Sequence, residues 1–358
     1  MTNDRKRSVA RTIGRIAVVT LTVLLIITAA LYGVMWILVN GPSPTARRLF
    51  VLSVKETSAG GFLADIYLSE DEIAEIMGTS GGDSGNENTD TSLIQIPQKD
   101  GVDGGENVPP KPGEIITNTP STGDGDDAQN KNEGIEVLDV VGSTYNGKLM
   151  IIDDPSRVFV GIPGEYGEDK HGLTVAAMID KYGAVAGTNA GGFDDPNGTG
   201  TGGIPDGIVI YEGELKWGSP GSTYNLAGLD KNGILHVGNM TAAHALDIGI
   251  QYAASYGPAL VINGQPAGSS LGGGLNPRTA IGQRADGAIL LLVINGRSID
   301  SLGATLDDLI EIMMSHGAVN ASNLDGGSSS IMIMNGERLT SSAYIFGERV
   351  VATGIIVK

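Results

Sequence analysis

Asn323-Leu324-Asp325-Gly326-Gly327-Ser328-Ser329-Ser330-Ile331-Met332-Ile333-Met334-Asn335-Gly336 is the stretch on which the reading of this chain turns. Leu324 ends one apolar run, two glycines and three serines reverse the backbone, and residues 331–334 start a second run. Asn335-Gly336 then reads as a hairpin, because both central residues of a type I′ turn need positive φ. The same dipeptide recurs after apolar residues at Tyr145-Asn146-Gly147, Ile262-Asn263-Gly264 and Ile294-Asn295-Gly296. Working outward, residues 137–141, 148–153, 157–162 and 183–188 read as strands, the first two joined through the Asn146-Gly147 turn. Helices are expected over 174–182, 241–254 and 305–316. The last carries Thr305 as N-cap, acids at 307 and 308, and Leu306, Leu309, Ile310 and Met313 on one face. Strands with a few interposed helices, lacking regular strand–helix alternation, imply an α+β (mixed α/β) fold rather than a Rossmann sheet or a TIM barrel. The globular domain is expected over 135–358, as a single strand-rich unit.

The 54 glycines in 358 residues far exceed ordinary usage and imply many turns. A formal net charge of −18 argues against nucleic acid as a general partner, although one arginine and backbone amides can still hold a phosphate. With no cysteine, disulfides, thiolate nucleophiles and cysteine-ligated zinc are excluded.

Residues 16–39 run without a charge, longer than the roughly 20 residues that cross a bilayer core. Arg5, Lys6, Arg7, Arg11 and Arg15 precede them, so residues 1–15 read as a basic cytoplasmic tail and 16–39 as a signal anchor. A cleaved signal peptide is the rival, but the apolar run continues through Met35, Trp36 and Ile37. Residues 40–77 read as a membrane-proximal stalk with a short helix after Ser69. Residues 78–134 carry eleven acidic residues against three lysines, are rich in Gly and Pro, and read as a disordered spacer. The expected location is a single-pass cell-membrane protein with its C-terminal domain outside.

Several familiar sites are absent from the sequence. No P-loop is present, Gly326-Gly327-Ser328-Ser329-Ser330 misses the nucleophile-elbow pattern, and His171, His236, His244 and His316 lack zinc-motif spacing. Three glycine-rich stretches stand out instead: Asn189-Ala190-Gly191-Gly192-Phe193, Pro277-Arg278-Thr279-Ala280-Ile281-Gly282 below the 271–275 glycine loop, and Asp325 with its Gly-Gly-Ser turn. A guanidinium offers a two-pronged fork for phosphate. A carboxylate beside bare N–H groups suits an acid next to an anion nest. Each also has a plainer reading, as a strand-start arginine, an Asp-Gly hairpin, or an asparagine tolerating left-handed φ.

In this order and at these intervals the three motifs resemble the phosphodiester glycosidase family, over roughly residues 136–358. The resemblance implies a hydrolase that cuts between a sugar's anomeric carbon and a phosphodiester oxygen. It implies catalytic roles for Asp325, Arg278 and Asn189, with Arg278 on phosphate, Asp325 at the anomeric centre and Asn189 on the sugar. Gly191, Gly192, Gly326, Gly327 and Ser328 would bind substrate. Asp194 stands where many family members have an aromatic residue, leaving the roles of Asp194 and Asp195 open. The residues demand no cofactor and no metal, and a divalent cation is left open. The expected partners are a phosphorylated glycan or sugar-1-phosphodiester, in cell-envelope or exopolysaccharide metabolism, and the membrane through the N-terminal helix. The alternative is an envelope protein that binds or assembles such a glycan without cleaving it.

Overall fold

The computed structural model describes residues 3–57, 60–78, 88–97, 132–341, 343–344 and 347–358. Two compact units divide the chain, 1–79 and 80–358.

In the first unit, α1 (Asn3–Asn40) contains a segment, Arg11–Asn40, long and apolar enough to cross a membrane, with a mean hydropathy of 2.4. Ser43 caps α2 (Pro44–Lys55), whose proline at the first turn needs no N–H partner. α3 (Phe62–Asp65) and α4 (Glu70–Gly78) follow. Val39, Val51, Leu52, Ala64, Leu68 and Ile73 form a small shared core, so residues 40–77 carry a helical cluster rather than one short helix. Ser69 and Glu72 cap α4 reciprocally, each accepting the other's backbone N–H.

The second unit is built from three antiparallel sheets around one core. The largest runs β1 (Ile135–Val141), β2 (Asn146–Ile152), β13 (Ile289–Ile294), β12 (Arg278–Arg284), β14 (Ala318–Leu324), β10 (Ala259–Ile262) and β11 (Gln265–Pro266), in that spatial order. The period of two is visible in β13: Ile289, Leu291 and Val293 enter the central core, while Leu290, Leu292 and Ile294 face the other way. That outer face is covered by α7 (Leu306–Ser315) through Leu306, Leu309, Ile310 and Met313. A second sheet orders β16 (Glu337–Arg338), β15 (Met332–Met334), β4 (Ala186–Asn189), β17 (Gly354–Val357) and β3 (Val158–Gly161). Its outer face carries α5 (Val175–Tyr182) through Val175, Met178 and Ile179. The third orders β6 (Glu214–Trp217), β5 (Val209–Tyr211), β9 (Ile250–Ser255), β7 (Thr223–Asp230) and β8 (Leu235–Thr241), covered by α6 (Ala242–Asp247). This is the expected α+β, strand-rich single domain.

Several local expectations are corrected. The helix expected over 241–254 stops at Asp247, because Gly249 adopts φ +86° and the chain leaves as β9. Asn146 and Gly147 lie inside β2, paired with Val141 and Val140, so the turn is residues 142–145. Asn263-Gly264 and Asn335-Gly336 do turn hairpins with both φ positive, and so does Glu212-Gly213 between β5 and β6. Asn295-Gly296 instead opens a loop into α7, with Arg297 taking the positive φ.

The spacer expected over 78–134 falls mainly outside the described residues. Its described part, 88–97, is integral to the second unit and bonds to residues 263 and 285 of it. Asn88 C=O and the Asp90 N–H bond the Asn263 side chain at 2.7 and 2.8 Å, the Gln95 N–H reaches Ala285 C=O at 2.7 Å, and Ile94 is buried. Leu93, Ile94 and Ile96 supply the apolar residues that overall composition concealed.

Candidate active site

The site forms where two sheets meet at their strand ends. Register places Thr279 opposite Leu324, so Arg278, starting β12, lies beside the turn that follows β14. From the second sheet, Asn189 ends β4 and braces the junction. Its Nδ2 donates to the Asp325 C=O at 2.6 Å, and its Oδ1 accepts from Thr279 Oγ1 at 2.8 Å and from the Ile331 N–H at 3.2 Å. Asn189 is fully buried. Its amide bonds three protein partners, one of them the Asp325 backbone.

The Asp325 carboxyl has its pKa pushed up to about 7, chiefly by burial. The Ser329 side chain, the charge of Arg349 and the Gly326 N–H oppose that rise, while Asp195 adds to it. An aspartate poised there can act as a base or as a carboxylate at neutral pH.

The glycine turn is less open than expected. The Gly327 N–H donates to Pro277 C=O at 2.8 Å, and the Gly326 N–H faces the Asp325 carboxyl, so neither is a bare anion donor. Any Cβ on Gly326 would sit 2.7 Å from Pro277 O, so glycine serves close approach of the turn to β12. Ser328 Oγ accepts from Arg349 Nη1 at 2.9 Å. Gly191 and Gly192 are likewise packing glycines. Their N–H groups go to Thr353 Oγ1 and Ser255 C=O, and a Cβ on Gly192 would press the Tyr256 ring at 2.8 Å.

Around the turn the structure gathers three arginines. Arg278 is buried and bonds Ala304 C=O through Nε and Gly274 C=O through Nη2. Arg297 turns its guanidinium toward Asn276 Oδ1 and would lie 3.2 Å from a Cβ on Gly327. Its pKa is held below the ordinary arginine value by burial first and the Arg278 charge second. Arg349, also buried, pairs with Asp195 and stacks on Phe193 at 4.8 Å. Sequence reading missed Arg297, Arg349 and Ser329. Arg297 could have been found from its Asn-Gly neighbours; Arg349 sits in no motif. Among the described residues no group of three or more His, Asp or Glu has metal-holding geometry. The His236–Asp230 pair links the strand ends on either side of the β7–β8 turn, where Asp230 accepts the N–H groups of Asn232 and Ile234.

The turn thus carries a carboxyl poised near neutrality, with Arg349 and its partner Asp195 acting on it and with Arg297 and Arg278 close to one another beside the glycines. Residues 182–358 match the phosphodiester glycosidase family. A 66-residue stretch is 41% identical to an SPbeta prophage-derived uncharacterized protein of Bacillus subtilis (strain 168), covering 18% of this chain and 10% of that protein. Another, of 62 residues, is 36% identical to the N-acetylglucosamine-1-phosphodiester alpha-N-acetylglucosaminidase of Bos taurus, covering 17% and 12% respectively. The chain therefore spans only about a tenth of the length of these curated relatives. The family resemblance extends to three dimensions. The catalytic domain of the zebrafish N-acetylglucosamine-1-phosphodiester alpha-N-acetylglucosaminidase superposes with a TM-score of 0.51 at 22% identity, over 62% of this chain and 81% of that one. At that identity the likeness is one of fold.

Proposed function

We propose that the protein hydrolyses a glycosyl phosphodiester, breaking the bond between the sugar's C1 and the phosphate oxygen. The observation carrying this reading is the Asp325 carboxyl, its pKa near 7, on a turn packed against the strand that begins with Arg278. Water supplies the new C1 oxygen, and the leaving group departs as a phosphate monoester. With a second pKa near 6, that group leaves without the protonated acid an ordinary glycosidase provides. Arg278 and Arg297 would hold the departing phosphate. Asp325, as carboxylate, would stabilise the oxocarbenium-like centre or activate water. Asn189 positions Asp325, and Arg349 with Ser328 orders the turn. α1 would tether the domain to a cell membrane, with the C-terminal domain outside and its substrate in the envelope or exopolysaccharide.

Incubating the full chain with an N-acetylglucosamine-1-phosphodiester and measuring free reducing sugar tests the reading. Release that disappears in Asp325→Asn supports it. Binding without release would favour a glycan-binding protein instead.

A further inference from the structure

From Asp325 a run of acidic residues, tied to Arg349 through Asp195, leads toward a sheet edge. Asp195 acts on Asp325, and Asp194 and Asp195 both act on Asp206, whose carboxyl is raised by burial first and by these neighbours second. A Cβ on Gly192 would lie 3.0 Å from Asp206 Oδ2 and 2.8 Å from the Tyr256 ring, and one on Gly207 would lie 3.1 Å from the Tyr224 ring. Gly207, Trp217, Gly218, Tyr224 and Lys216 line a cleft of about 470 Å³. Lys216 also borders a second cleft of about 480 Å³, walled by Tyr166, Tyr211 and Glu165. The Trp217 and Tyr166 rings meet edge to face at 6.0 Å. Each cleft falls within the roughly 300–1,000 Å³ of small-ligand sites.

Aromatic rings at a sheet edge often serve packing alone, and Tyr224 Oη does accept the Ser219 N–H at 3.1 Å. Yet four rings line these two clefts in a chain that is only 5% aromatic, and a lysine and a glutamate stand beside them. A pyranose has an apolar C–H face and a hydroxyl rim, which suits an aromatic wall with charged groups at its edge. Asp206, which Asp194 and Asp195 act on, directly precedes Gly207, so the clefts begin beside the acidic residues that reach Asp325.

We infer that these clefts bind further sugar rings of a glycan whose reducing-end C1 carries the phosphodiester, so that the substrate class is an oligosaccharyl rather than a monosaccharyl phosphodiester. The inference rests on the proposed hydrolysis for its direction, and on the clefts alone for binding. The chain's two tryptophans are Trp36, in α1, and Trp217. In a full-length Trp36→Phe variant, indole fluorescence therefore reports the cleft directly. Titration with N-acetylglucosamine tetrasaccharide should give a saturable change, at an affinity about tenfold tighter than that for the monosaccharide. No response to the tetrasaccharide, or equal affinities, overturns the inference. In parallel, Trp217→Ala should lower the ratio of kcat/KM for a tetrasaccharyl phosphodiester over a monosaccharyl one by about tenfold, through KM. An unchanged ratio overturns it as well. If neither phosphodiester is turned over by the parent chain, the hydrolytic reading fails, while the fluorescence titration still decides the cleft.

Discussion

Burial keeps Asp325 protonated up to about pH 7, and two consequences follow at this residue. An unfolded aspartate releases its proton near pH 4, so between about pH 4 and 7 the native state binds more protons, and stability falls as pH rises through that window. Asparagine cannot ionise, so Asp325→Asn should raise Tm over the parent at pH 8 and by less at pH 5; differential scanning calorimetry at the two pH values checks this. The same variant should lose about 10²–10⁴-fold in kcat, and retention of more than about a tenth would remove Asp325 from catalysis. With the carboxylate as the working form, kcat/KM should rise with pH through about 7. Arg349 lowers this pKa, so Arg349→Met should move the midpoint upward, and an unmoved midpoint would sever the two groups. At the other flank, Arg278→Lys keeps charge without the planar fork and should not restore full affinity for a glycosyl phosphate. Equal weakening of phosphorylated and uncharged ligands in Arg278→Ala would mark it as structural.

Among the elements, those with capping signals were the most legible. Thr305 accepts the Asp308 N–H while the Asp308 carboxylate accepts the Thr305 N–H, and Gly317 follows the helix at φ +84°. Thr305→Ala should therefore cost about 1 kcal/mol, read from chemical denaturation. The Asn-Gly signal was less dependable. It turns a hairpin only where both flanking strands pair at once, as at Asn335-Gly336; at Asn146-Gly147 the sheet pairing extends past it. The helix read over 241–254 ended early because Gln251, Tyr252 and Ala253 pair with β5 and β7, a long-range preference invisible in local spacing. Residues 88–97 went unread as an ordered piece for a similar reason, since their partners, Asn263 and Ala285, are far along the chain. Ile94→Asp should lower the domain's Tm by placing a charge in a buried seat; an unchanged Tm would mean that the docked segment carries no stability.

On the scale of the whole molecule, three sheets share one core, and the site lies where two of them meet. The motif residues Asn189, Arg278 and Asp325 were identifiable from sequence because glycines mark each strand end. Their contacts were not, since these run across sheets: Asn189 spends its amide on Asp325, Thr279 and Ile331. Arg349 was invisible for the same reason; it reaches Ser328 and Asp195 from a segment without a motif. Which bond breaks decides the chemistry, and hydrolysis in ¹⁸O-labelled water reads it directly. Attack at C1 with phosphate leaving should place the label on the released sugar and none on the phosphate monoester. Label on the phosphate would mean P–O cleavage, and would contradict the proposed roles of Asp325 and the arginines.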